Sequence, residues 1–279
     1  MKKVFLLIGL AVALTVNAQV LEVTSVQKLA IEEGDVKVAG IAPDGSYILL
    51  TTTANEGLRK YDLATGQTAV LSQAAGAGYN AQIADNGQKV IFRETSYDAK
   101  RLRQQTLRSR VLTSGEEKVL VPATRSARKL AQAQNVAVAR PTCSIENQQL
   151  MITIGATTTQ ISPLGTNESY IWPSISPNGQ KVLFYVSGVG AFVSNLDGSN
   201  YQFLGHNVRA PKWYNDQIVI GMNDRDNGEY TTSSEIVAVT LDGRSQVLTS
   251  GIDAIFPYAC NGKIVCSGLN GETYLLNVR

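Results

Sequence analysis

The chain has 279 residues and a single histidine, His206. That scarcity excludes metal centres built on several imidazoles. A Ser-His-Asp triad would have to use His206, and no G-x-S-x-G nucleophile elbow is present. His206 therefore reads as a surface histidine or one in a loop between repeats. Cysteine is also scarce, and odd in number: Cys143, Cys260 and Cys266. Three thiols do not make a disulfide framework. Charge is thin, with 17% Asp, Glu, Lys and Arg and a formal net charge of +2. Removing Lys2 and Lys3 takes that balance to zero, which argues against bulk nucleic-acid binding. Long apolar runs are missing too, apart from Val4 to Val16 at the start.

That one run has the form of a signal peptide. Lys2 and Lys3 form its charged region, and Val16 and Ala18 stand at −3 and −1 of a cut before Gln19. The run is short for a membrane span. The expectation is a leader over residues 1–18, an exported chain from 19 to 279, periplasmic or secreted, and no membrane span in the mature chain. An uncleaved anchor is the alternative.

What the chain has in abundance is a repeat of about 40 residues, the length of a four-stranded propeller blade. Its first piece is a tight turn, APDG at Ala42, ADNG at Ala84, SPNG at Ser176 and CNG at Cys260. Asp-Gly and Asn-Gly accept positive φ at low cost and close hairpins. Two units lack the glycine and use Glu146-Asn147 and Asn215-Asp216 instead. The second piece is a β-run after the turn: SYILLTT, QKVIFRE, QQLMITI, QKVLFYV, QIVIGM and KIVCSG. The third is a second hairpin, seen in NLDGSNYQFL and TLDGRSQVL.

Naming strands a to d from the axis outward, the last unit ends after strand c. The segment VQKLA, Val26 to Ala30, has the character of the missing d strand. The fold class expected is all-β, a six-bladed β-propeller of four-stranded antiparallel blades, with the ring closed by the N-terminal strand. Closure removes an open sheet edge. The third blade has no room for a separate strand c between Ile154 and Ile161, so three strands are expected there. Residues 122–140, including TRSARKLAQAQ, read as a short helix or a mobile loop. In the last hairpin Cys260 pairs with Lys263, which turns Cys260 and Cys266 to opposite sides and leaves all three cysteines free.

Residues 167–250 resemble the propeller repeats of the TolB family. The pattern stands here as IWPSISPNGQKVLFYV, AFVSNLDG, RAPKWYNDQIVIGM, EIVAVTLDG and QVLTS. The resemblance implies an exported TolB-type propeller. TolB carries a further N-terminal domain that contacts envelope proteins. Here the repeats begin almost at the expected cut, so a propeller alone is expected and the TolB role itself is not implied.

No motif nominates a catalytic centre, a cofactor or a metal. In NDRDNGE, Asn223 to Glu229, counting from Asp224 puts Gly228 at position five, the wrong register for a calcium loop. SPNGQKV lacks the tryptophan and spacing of a sialidase box. The single histidine also removes the histidine-rich sites of propeller lyases.

Tight turns belong to the a–b and c–d face. The long connections, Glu94–Gln105, Pro122–Arg140 and Asn223–Glu235, belong to the b–c and d–a face, which is therefore the expected working face. Aromatics approach the axis there, namely Tyr79, Tyr170, Trp172, Trp213, Tyr214, Phe256 and Tyr258, either to bind or to wedge between blades. Charge is uneven as well. Lys100, Arg101, Arg103, Arg125, Arg128, Lys129 and Arg140 load one side. Glu32, Glu33, Asp35, Asp224, Asp226, Glu229 and Asp253 load the other. Arg101, Arg103, Arg125, Arg128, Trp172, Trp213, Tyr214 and Tyr258 are the candidate partner-binding residues. The leading reading is a non-enzymatic scaffold for a protein or peptide partner in the cell envelope. Two others stand beside it: a carbohydrate-active or peptide-cleaving enzyme with carboxylates at the axial channel mouth, and a purely structural envelope component.

Overall fold

A computed structural model describes residues 19–31, 35–260 and 262–279. The expected leader, Glu32 and Glu33 lie outside them. Six antiparallel sheets form the blades of a propeller. The N-terminal strand β1 (Val23–Lys28) belongs to the last blade. Blade 1 contains β2 (Lys37–Ile41), β3 (Tyr47–Thr51), β4 (Leu58–Asp62) and β5 (Thr68–Ser72). Blade 2 contains β6 (Gln82–Ala84), β7 (Lys89–Tyr97), β8 (Arg103–Val111) and β9 (Glu117–Thr124). The helix α1 (Ala127–Val138) follows. Blade 3 contains β10 (Thr142–Glu146), β11 (Gln149–Ile154) and β12 (Thr157–Gln160). Blade 4 contains β13 (Tyr170–Ile175), β14 (Lys181–Val186), β15 (Gly190–Asn195) and β16 (Gln202–Gly205). Blade 5 contains β17 (Arg209–Trp213), β18 (Ile218–Asp226), β19 (Thr231–Thr240) and β20 (Ser245–Val247). Blade 6 contains β21 (Ala254–Cys260), β22 (Lys263–Gly268) and β23 (Thr273–Val278).

The ring closes as the phase of the repeat predicts. β1 lies antiparallel beside β23, with Val26 opposite Leu276 and Lys28 opposite Tyr274. Gln246 stitches the start of this segment to blade 5. Its Oε1 accepts from the amides of Val20 (2.7 Å) and Leu21 (3.0 Å), and its Nε2 donates to the Leu21 carbonyl at 2.8 Å. Blade 3 has three strands, the third lying where a strand c lies. Its turn works without glycine because Asn147 (φ 49°) and Gln148 (φ 65°) both enter the left-handed region, which asparagine tolerates. In blade 5 the carboxamide of Asn215 accepts from the amides of Gln217 and Ile218, both at 2.8 Å, and so builds the turn.

Period-two alternation sends neighbouring side chains of each strand into different seams. On β22, Ile264 and Cys266 pack toward blade 5 while Val265 packs toward blade 1. Cys260 opposes Lys263, Cys260 and Cys266 contact different clusters, and all three thiols are free. Sheet-on-sheet apolar seams of this kind join blades 1 and 2, 3 and 4, 4 and 5, 5 and 6, and 6 and 1.

Between blades 2 and 3 the arrangement differs. Of the two expectations for residues 122–140, the helix is what forms: α1 carries the chain from the outermost strand of blade 2 to the innermost of blade 3. The Ser126 side chain caps it, accepting from the Lys129 amide at 3.2 Å. Ala139 ends it in the left-handed conformation. Leu130 and Ala131 are buried, Leu130 against Ala84, Ile91 and Leu107 of blade 2. Gln134 and Asn135 are buried as well and act as staples. Gln134 accepts from buried Arg93 of β7 at 2.8 Å, and Asn135 donates to the Thr153 carbonyl of β11 at 3.2 Å.

Candidate functional site: the axial channel and the hairpin face

Inner strands of a propeller have a free edge on the axis, so proline is admissible there. β13, β17 and β21 carry Pro173, Pro211 and Pro257, each inside a one-residue bulge. The residue before each proline has positive φ: Trp172 at 50°, Ala210 at 46° and Phe256 at 51°. That conformation costs an L-residue about 1–2 kcal/mol. The bulges shift the register of the residue after proline by one position. One register position then supplies one residue per blade. It is the position opposite a buried residue of the second strand, Leu49, Ile91, Ile152, Leu183, Ile220 or Val265. The six are Gly40, Gln82, Cys143, Ser174, Lys212 and Tyr258. All six line an axial cavity of about 450 Å³.

Lys212 is the one charged member of this ring. Its Nζ sits 5.0 Å from the centroid of the Tyr258 ring, a cation–π distance. Arg140 is a second cation in the lining, and no Asp or Glu is among the described lining residues. The Ser174 hydroxyl and the Thr142 hydroxyl, also in the lining, are buried without a hydrogen-bond partner. Cys143 turns its thiol into the seam with blade 4. Burial pushes that thiol up to about 12, against the opposing pull of Lys212 and Arg140.

Three of the eight candidate residues fall at this channel, and five fall elsewhere. Trp213 and Tyr214 line it beside Lys212 and Tyr258. Trp213 is buried and donates from Nε1 to the Ser174 carbonyl at 3.1 Å. Burial raises the Tyr214 hydroxyl above its ordinary value. Trp172 is half-buried and wedges between blades 4 and 5, edge-on to Tyr185 at 5.4 Å, with Arg209 at 5.6 Å over its ring. Arg101, Arg103, Arg125 and Arg128 are all exposed, far out on the blade 2 side.

The long connections of this face take a different form from the expected loops. Glu94–Gln105 is mostly strand, because β7 and β8 run on to a short turn at 98–102. Asn223–Glu235 is likewise the extension of β18 and β19. The two hairpins are nine or ten residues a side, against five or six in blades 1, 4 and 6. They belong to blades 2 and 5, opposite positions of a six-membered ring. The tip on blade 2 is cationic through Lys100, Arg101 and Arg103, with Arg125 beside it. Amides of Leu102 and Lys100, and also Arg125, hold the Asp98 carboxyl below its usual range. Arg108 and Arg110 behind the tip are neutralised by Glu94 (2.5 Å) and Glu117 (2.9 Å).

The opposite tip carries exposed Asp226 and Glu229 against Arg225. Asp224 does not belong to an exposed acidic rim. Its side chain is 2% exposed and pairs with Arg209 at 2.5 Å. Asp253 is tied down too, accepting from the Ser234 amide at 3.0 Å. His206 is exposed and lies in the connection from β16 to β17, its Nδ1 2.6 Å from the Val189 carbonyl. Among the described residues no group of three or more His, Cys, Asp or Glu is placed to hold a metal, and no helix is long and apolar enough to cross a membrane.

Sequence reasoning missed Lys212, Ser174 and the bulges. The signal was the recurring X-Pro in IWPS, RAPK and IFPY, which marks both the bulge and the residue that follows it.

No protein-family model matches the chain, and no curated protein matches it. Solved structures do. A protein assigned as TolB from Agrobacterium tumefaciens matches with a TM-score of 0.56 at 14% identity, over 88% of this chain and 91% of that one. TolB from Acinetobacter baumannii matches with 0.50 at 12%, over 86% of this chain and 55% of that one. An oligogalacturonate lyase in complex with manganese matches with 0.51 at 13%, over 86% and 76%. At these identities the likeness is one of fold, and TolB propellers are among the structural neighbours of this six-bladed chain.

Proposed function

We propose that this chain is an exported, non-enzymatic β-propeller, cut near Ala18-Gln19, that binds a protein or peptide partner in the cell envelope. The binding surface is the face bearing the two long hairpins. One observation carries the reading: blades 2 and 5, opposite one another, alone extend their b–c hairpins, and the exposed tips differ in charge. A cationic tip facing an acidic one suits a polar partner of complementary charge and fixes its orientation. Arg101, Arg103, Arg125 and Arg128 form the cationic contact, and Trp172, Trp213, Tyr214 and Tyr258 are the aromatic contacts around the axis, Tyr214 standing at its a–b turn end. The TolB likeness in fold agrees with a scaffold of this kind.

The test is a cross-linked pull-down of the tagged chain from envelope fractions of its own organism, run beside the Arg101/Arg103/Arg125/Arg128→Ala variant. A stoichiometric protein retained by the parent and lost by the variant supports the reading. A partner held equally by both sinks the cationic contact, and a blank with folded bait sinks the scaffold.

The second reading is an enzyme with carboxylates at the channel mouth, favoured by the fold likeness to the oligogalacturonate lyase. The described channel lining offers it two cations and no carboxylate. Turnover of oligosaccharide or peptide substrates by the purified chain would establish it over the first.

A further inference from the structure

We infer that the axial channel is a binding site for a small oxyanion, a carboxylate or a phosphate group, with Lys212 as its anchor. The inference shares Tyr258 with the proposed partner surface, but none of its hydrogen-bonding groups lies on either tip. It starts from the ring of one residue per blade. Five of the six positions hold Gly40, Gln82, Cys143, Ser174 and Tyr258, and the sixth holds a lysine. Lys212 is a half-buried cation on the wall of a cavity, and an unpaired cation there attracts an anion. Among the described residues the lining supplies none: it holds Lys212 and Arg140 and no Asp or Glu. Nor does any ion pair among the described residues involve Lys212 or Arg140.

Two hydroxyls of the same lining add to the donor set. Ser174 is on the adjacent blade at the same register, and its hydroxyl is buried without a partner. The Thr142 hydroxyl, in the same lining, is also buried and unpartnered. Buried polar atoms are rarely left so, and an unsatisfied one calls for an account. Two unpartnered hydroxyls in the lining that also holds the Lys212 ammonium are donors an oxyanion can use, since each of its oxygens accepts hydrogen bonds. The Lys212 ammonium stands 5.0 Å from the Tyr258 ring centroid, a contact that positions it before any ligand arrives. A cavity of about 450 Å³ admits a small organic acid or a phosphate monoester.

The probes are inorganic phosphate and acetate, titrated separately into the purified chain by isothermal calorimetry at low ionic strength. One of them is expected to bind saturably, and the stronger one tells phosphate chemistry from carboxylate chemistry. Lys212→Met, which keeps the stem over Tyr258, should weaken that binding by about tenfold or more. Lys212→Arg should keep most of it, and Ser174→Ala should lose about threefold to tenfold. Lys118→Ala, at an exposed lysine outside both surfaces, should change nothing. If Lys212→Met fails to fold, the Ser174→Ala loss carries the test. Absence of saturable binding by both anions, or equal affinity in the parent and the Lys212 and Ser174 variants, overturns the site.

Discussion

The seam between blades 5 and 6 and the seam between blades 2 and 3 solve one packing problem in two ways. In the first, Ile220, Ile236, Ile264 and Leu276 are each fully buried, and the sheets meet directly. In the second, α1 stands between the sheets, and Arg93, Gln134 and Asn135 are buried with it. The first seam relies chiefly on apolar shape, with the Ser234 hydroxyl buried and unpartnered on the Ile236 face of β19. The second needs each polar group matched, and it falls short: Arg93 Nε, Gln105 Nε2, Ser144 Oγ and Glu146 Oε1 lie buried without partners. Irregularity and cationic charge coincide here. The helix and its ends carry Arg125, Arg128, Lys129 and Arg140, and β7 and β8 next to it bear the cationic tip. Five regular seams hold the ring, and the sixth departs from the repeat to present groups that the repeat does not supply.

Mutations that act on one seam and not the other sharpen this contrast. Leu276→Ala opens a cavity in the apolar seam and should cost about 2–5 kcal/mol, read by urea unfolding. Gln134→Leu in the polar seam should cost about 1–3 kcal/mol, because it strands the Arg93 guanidinium without its acceptor. Adding Arg93→Met should recover most of that loss. A Gln134→Leu variant as stable as the parent would break the comparison.

Alkaline pH probes the dry seam through a thiol. Burial raises Cys266 to about 12 from an ordinary value near 9. The folded state therefore keeps its proton where the unfolded state loses it. The contribution is intact below pH 9 and is lost as pH rises toward 12, with a slope of up to about 1.4 kcal/mol per pH unit. Cys266→Ala should flatten that part of the stability profile, and an unchanged slope would contradict the assignment. The smallest effect belongs to the helix cap. Ser126→Ala should cost about 1 kcal/mol in the same unfolding experiment.

Much of the fold was legible because a propeller repeats its instructions. The turn glycines, the β-runs and the missing last strand set blade number and closure, and Val26 does lie opposite Leu276. The short interval from Ile154 to Ile161 marked the three-stranded blade. Less legible was whatever the repeat does not contain. Ser96, Tyr97, Arg103 and Gln104 looked like loop because a hairpin solvated on both faces loses the apolar alternation that marks a strand. Residues 122–140 left helix and loop open, since the buried polar residues Gln134 and Asn135 blunt the apolar stripe of a helix. Asp224 looked like a surface acid because its partner, Arg209, lies on the neighbouring strand of the sheet. The channel ring stayed hidden because each of its members comes from a different blade.

The most direct test of the working face is site-specific photo-crosslinking in the native organism. Benzoylphenylalanine would replace Leu102 and Tyr230, both exposed on the hairpins, and Thr65 and Asp197 on the c–d turns of the opposite face. The account predicts a discrete partner adduct from Leu102 and Tyr230 and none from Thr65 or Asp197. An adduct from Thr65 or Asp197, with none from the hairpins, would place the partner on the other face and contradict it.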